Sequence, residues 1–163
     1  MRFTITQLRE LQGELDARIF KQHDTDRKRT RIDRCLALSV EIGELANETR
    51  CFKYWSVRPA STREVLLEEL EDSIHFLLSL GIDLEDQSDF IEGEDDGKHL
   101  SETFLDFYSA TSTLTFDFTL ENYLACFKFV AVLAEKLGFS ESDLVEFYLK
   151  KNMKNHQRQD THY

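Results

Sequence analysis

The stretch Val40-Glu41-Ile42-Gly43-Glu44-Leu45-Ala46-Asn47-Glu48-Thr49-Arg50-Cys51-Phe52-Lys53-Tyr54-Trp55 decides how the chain reads. Together with Leu38 it places Leu38, Glu41, Leu45, Glu48 and Phe52 at spacings of 3, 4, 3 and 4, one face of an α-helix. Acids therefore share a face with core residues, and Glu44 lies one turn from Glu41 on its edge. A later segment repeats the arrangement. Val65, Glu69, Asp72 and Phe76 form an equivalent stripe, with His75 one turn beyond Asp72.

A buried carboxylate without a partner loses more solvation than packing returns, so it neutralises, pairs or binds metal. Few cations are near: Arg50 and Lys53 close one helix, and Arg63 opens the next. Hard carboxylate oxygens without clustered Cys or His select Mg2+, or Mn2+ as a substitute, over zinc. One Glu-x-x-Glu pair is common on helices and says little. Two acid pairs on successive apolar stripes make Glu41, Glu44, Glu69 and Asp72 candidate metal ligands.

The totals frame this site. A chain of 163 residues with 41% hydrophobic and 12% aromatic residues supports one domain with a packed core, residues 1–163. One Pro and six Gly leave few breaks, which favours long helices. Cys35, Cys51 and Cys126, odd in number and widely spaced, fit neither a disulfide framework nor a zinc motif. A net charge of −11 argues against nucleic acid or an anionic membrane as partner. No signal segment or membrane-spanning run is read, so a cytoplasmic protein is expected.

Periodicity predicts an all-α bundle of five to six helices. Thr4-x-x-Gln7 reads as a capping box before a first helix through Ile19. A second helix is expected from Ile32 to Trp55. Ser61-x-x-Glu64 reads as a cap for a third, Thr62 to Leu80, ended by Gly81. Residues 83–98, rich in Asp, Glu and Gly, read as an exposed acidic loop. Helices are expected over Ser101–Thr113, Tyr123–Leu137 and, capped by Ser140, Glu141–Gln157.

The last helix turns basic. Lys150, Lys151, Lys154 and Arg158 fall within nine residues, and Tyr148, Lys151, Asn155 and Arg158 share one face. Such cations suit phosphate oxygens, although a helix C-terminus attracts cations anyway.

These residues together resemble the all-α, dimeric dUTPases. Val40 to Trp55 resembles that family's first metal motif, and Leu67-Glu68-Glu69-Leu70-Glu71-Asp72-Ser73-Ile74-His75-Phe76 its ExxD motif followed by His-Phe. Gln12-Gly13-Glu14-Leu15-Asp16 resembles the N-terminal motif, and Lys151-Asn152-x-x-Asn155-x-x-Arg158-Gln159 the C-terminal one. The likeness spans most of the chain in order, apart from the acidic loop and the segment around 100–120. It departs at Asp16, where many relatives carry Asn, and in a tail ending Asp160-Thr161-His162-Tyr163 without a glycine before the Tyr.

The resemblance implies a homodimer that hydrolyses dUTP to dUMP and pyrophosphate at a magnesium site. Glu41, Glu44, Glu69 and Asp72 are then the ligands, with Glu41 orienting the attacking water. Lys151, Asn155 and Arg158 are expected at the phosphates. Asn47, His75 and Asn152 are expected near the deoxynucleoside, Phe52 or Trp55 at the base, and Gln12 and Asp16 at a neighbouring subunit's pocket. Alternatives are the same chemistry on dCTP or a non-canonical triphosphate, as in MazG-like pyrophosphohydrolases, and a non-catalytic helical interaction protein.

Overall fold

In the computed structural model, which describes residues 1–161, the elements run β1 (Arg2–Thr4), α1 (Thr6–Gln22), α2 (Arg27–Thr49), α3 (Arg63–Asp83), β2 (Phe90–Glu92), α4 (Leu100–Phe116), α5 (Leu120–Lys136) and α6 (Glu141–Asp160). The fold is all-α, with one small two-stranded ribbon. The helix that buries the most residues, α3, is central and packs against α1, α2, α5 and α6. Its Leu67, Leu70, Ile74, Leu77, Leu78 and Leu80 are almost fully buried. One contiguous core joins them to Leu38, Ile42 and Leu45 of α2, Phe127 and Val130 of α5, and Leu144 and Tyr148 of α6.

Several boundaries differ from the sequence expectation, each for a local reason. The expected cap at Thr4 is absent because Thr4 belongs to β1, and its N–H donates to Glu141 Oε1 at 2.8 Å. α2 begins at Arg27, five residues early, because the Asp26 side chain accepts from the Arg29 N–H. It stops at Thr49 rather than Trp55, where Arg50 enters the left-handed region at φ 57°. Ser61 does not cap α3; its hydroxyl donates to Glu48, and Thr62 takes the cap position without a side-chain cap bond. α3 runs past Gly81 to Asp83. The β-branched tract Thr111–Thr115 stays helical within α4, where Thr111, Thr113 and Thr115 donate to carbonyls one turn back.

The acidic segment is not simply an exposed loop. β2 pairs antiparallel with β1, Phe3 facing Ile91, and both side chains are buried. Asp86 is buried against Arg9 Nη1 at 3.0 Å. Only 94–99 lies open throughout. Ser140 closes a capping box on α6 as the sequence suggests. His162 and Tyr163, which carry the departure of the tail, lie outside the described residues.

Candidate active site

α2 and α3 pack side by side, so their acid-bearing faces meet. Glu41, Glu69 and Asp72 each offer a carboxylate oxygen, and these oxygens lie within 4.8 Å of one another. All three are partly buried. Glu44 is exposed and stands outside that trio, yet its charge acts on both glutamates. Burial, reinforced by Asp72, Glu44 and Glu69, pushes the Glu41 carboxyl up to about 7. Burial, then Glu44 and Asp72, does the same to Glu69, also to about 7.

The basic face of α6 closes over this cluster. Lys151 Nζ lies 2.8 Å from Asp72 Oδ2 and 3.0 Å from Glu68 Oε1. Arg158 Nη1 donates to Asn155 Oδ1 at 3.1 Å. Lys151, Asn155 and Arg158 line, with Glu41, Glu44 and Asp72, a cavity of about 760 Å³. Leu15, Ile19 and Phe20 of α1 and Phe76 of α3 add apolar lining to it. Gln12 and Asp16, expected at a neighbouring subunit's pocket, line this chain's own cavity together with His75.

A basic helix face, an acid trio and a cavity of mixed polar and apolar lining thus meet at the junction of α1, α2, α3 and α6. A comparison with known protein families matches residues 4–163 to one family, described as dUTPase. The chain belongs to that family. Membership makes it an enzyme of the dUTP diphosphatase kind, a nucleoside triphosphate pyrophosphohydrolase, and sets aside a purely structural helical protein. No curated protein matches the chain. Among the described residues no helix is long and apolar enough to cross a membrane.

Asn47, Phe52, Trp55 and Asn152, also expected at the nucleoside, do not line this cavity in the dUTPase-family chain. Phe52 and Trp55 are 43% and 65% exposed and lie outside the cavity wall, because α2 ends before them. They form an edge-on aromatic cluster with Tyr54. Asn47 is exposed and accepts from Lys53 Nζ, while Asn152 is buried with its Nδ2 unpartnered. The aromatic residues that do line the cavity are Phe20 and Phe76, Phe20 being flanked by the Arg27 and Arg34 guanidinium groups at 5.4 and 5.8 Å.

Sequence reasoning missed Phe20 and Arg34, and the signal for both was present. Phe20 follows Gln12 and Asp16 at intervals of four on one face of α1. Arg34, Leu38, Glu41 and Leu45 continue the acid stripe of α2 backwards. Arg34 is buried, bonded to Asp83 at 2.9 and 2.6 Å and to the Ser79 carbonyl at 3.1 Å. Glu71 was also missed. It is fully buried, with both carboxylate oxygens unpartnered, and burial holds its carboxyl well above the ordinary range.

Proposed function

We propose that the chain converts dUTP to dUMP and pyrophosphate with Mg2+ held by Glu41, Glu44, Glu69 and Asp72, Mn2+ serving as a substitute. The crowding of Glu41, Glu69 and Asp72 carries the reading. Three carboxylates this close, two of them pushed up to about 7, are relieved by a hard divalent cation. The donor set, all oxygen, fits magnesium and not zinc. Bound there, the ion would offset phosphate charge and acidify a water.

The chain's own groups divide the remaining work. Glu41 orients the attacking water and takes its proton. Lys151, Asn155 and Arg158 hold phosphate oxygens, which supports an acidic protein binding an anion. Gln12, Asp16 and His75 face the deoxynucleoside, and Leu15, Ile19, Phe20 and Phe76 exclude water around the base. Rate acceleration comes from positioning and charge rather than from a covalent intermediate.

A homodimer belongs to the same proposal. Ile32, Leu36 and Val40 form an outward stripe on α2, 59%, 66% and 49% exposed. Asp33, Ala37 and Glu44 of the cavity wall flank that stripe, so a second copy seated on it would border the cavity. The chain is read as one catalytic domain acting in the cytoplasm.

Pyrophosphate release from dUTP, dCTP and dTTP, with and without Mg2+, tests the reading. Release from dUTP alone, only with the ion, is expected. Preference for dCTP would keep the metal site and overturn the base assignment, and no release from any of the three would overturn the reading.

A further inference from the structure

We propose that Asp16 sets the proton order of a buried hydrogen-bond chain that leaves His75 Nε2 an acceptor, so that the substrate meets it with a donor. For its ligand the inference rests on the dUTP-hydrolysing reading of the cavity; for its proton order it does not.

The chain of contacts runs through the cavity wall. Arg27 Nη1 lies 2.9 Å from Asp16 Oδ2, and the Ser79 hydroxyl donates to the same oxygen at 2.6 Å. Asp16 Oδ1 accepts from Gln12 Nε2 at 2.8 Å. Gln12 Oε1 then faces two groups, the Tyr148 hydroxyl at 2.9 Å and His75 Nδ1 at 2.7 Å. The Tyr148 hydroxyl also reaches the Leu8 carbonyl at 3.1 Å. Tyr148 stacks on the His75 ring with centroids 4.3 Å apart. Asp16, Gln12, His75 and Tyr148 are all buried.

Each link fixes the next. An ionised carboxylate paired with Arg27 only accepts, so the Gln12 amide must turn its NH2 towards Asp16. Its carbonyl oxygen, an acceptor, is thereby aimed at His75. Two acceptors cannot face each other at 2.7 Å, so Nδ1 carries the proton. Burial pushes the His75 ring down to about 3, which removes the doubly protonated form near neutrality. Nε2 is left with a lone pair, and it is buried without a hydrogen-bond partner.

In a cavity for deoxyuridine nucleotides two substrate groups have the required polarity: the N3–H of the base and the 3′-hydroxyl of the sugar. Cytosine offers an unprotonated N3 at the corresponding position, so this polarity also bears on base choice. The expected loss from an unmade bond to a buried group is roughly 10- to 100-fold in kcat/KM.

Asp16→Asn inverts the order with almost no change of shape. Arg27 only donates, so the new amide oxygen stays towards Arg27 and its NH2 faces Gln12. Gln12 turns over, its NH2 meets Nδ1, and the proton moves to Nε2.

Nitrogen-15 spectra of the histidine rings in the nucleotide-free protein, with kinetics on two analogues, test this. The wild-type spectrum should show His75 protonated at Nδ1, and Asp16→Asn should show it protonated at Nε2. The wild type should process either 3-methyl-dUTP or 2′,3′-dideoxyuridine triphosphate about 10- to 100-fold less efficiently than dUTP. The analogue affected names the donor, and Asp16→Asn should lose most of that gap, which separates polarity from a steric clash of the methyl group. An Nε2-protonated ring in the wild type overturns the proposal even if the variant fails to fold. So does an unchanged tautomer in Asp16→Asn, or equal use of both analogues and dUTP. Failure to hydrolyse any nucleotide would instead sink the hydrolytic reading while the spectra still decide the proton order.

Discussion

Glu41 keeps its proton up to about pH 7 in the ion-free protein, a range in which a carboxylate can serve as a base near neutrality. Glu41→Gln removes that base and one ligand oxygen, and should lower kcat by about 100- to 10,000-fold while far-ultraviolet dichroism stays that of the wild type. A variant within a few-fold of normal rate would take Glu41 out of the chemistry. The raised carboxyls also fix a sign. Glu41 and Glu69 favour the folded, ion-free protein most below their ordinary range near 4.5, and that advantage is lost as pH rises to about 7. Melting temperature without metal should therefore fall from pH 6 to pH 8, and Mg2+ should stabilise more at pH 8. An ion effect that is equal at both pH values would contradict the placement of these acids. His75 carries the opposite sign. Its folded value near 3 lies below the unfolded 6.5, so its stability contribution is complete above 6.5 and is lost on acidification. The difference in stability between wild type and His75→Gln should shift by about 1.4 kcal/mol per pH unit between pH 6 and 4. At this scale the grouping of Glu41, Glu69 and Asp72 was legible, because Glu41 and Glu69 interrupt apolar stripes, whereas Glu44 stands outside it. Glu71 was not, since a glutamate beside the stripe reads as solvated until α3 is packed against its neighbouring helices.

The helices contribute differently to the cavity: α2 and α3 bring most of the acids, α6 brings Lys151 and Arg158, and α1 brings Leu15, Ile19 and Phe20 beside Gln12 and Asp16. Arg158→Ala should raise KM for dUTP by about tenfold with kcat largely kept, the result of losing one charge-assisted phosphate contact worth about 1.4 kcal/mol. An unchanged KM would reduce the basic end of α6 to compensation of its helix dipole. The close approach of α3 to α5 is equally exacting. A Cβ on Gly81 would stand too close to the buried Tyr123 ring, 2.5 Å from Cζ. Gly81→Ala should lower unfolding stability by about 1–3 kcal/mol in urea titrations, and a neutral effect would contradict this packing. Gly81 reads as a helix stop in the sequence, yet its role is to let a tyrosine pass. The end of α2 was misread for a related reason: Cys51 to Trp55 continue an apolar period, and nothing but the left-handed Arg50, a non-glycine, marks the stop. The three-residue strands were beyond reach. They are too short for alternation to register, and the pair Phe3 and Ile91 joins opposite halves of the chain.

Across the whole molecule, one core supports a cavity where Lys151 and Arg158 of α6 and Arg34 of α2 stand among acids, in a chain of net charge −11. Overall class and helix order were legible, since composition left few breaks and the periodicity was helical almost throughout. Assembly was not, because an apolar stripe reads the same whether it meets a core or a second copy. The outward residues of α2 make assembly testable. Leu36→Glu should convert a dimer to a monomer in sedimentation velocity, and a wild type that sediments as a monomer would contradict the proposed assembly. The central claim is that acids of α2 and α3 hold the ion on which dUTP hydrolysis depends. The most direct test is the rate of pyrophosphate release from dUTP as Mg2+ is titrated, in wild type beside Asp72→Asn. Saturable dependence on the ion in the wild type, with a loss of about 100-fold or more in the variant at every concentration, is the predicted result. Release without the ion, or an Asp72→Asn enzyme that matches the wild type, would contradict it.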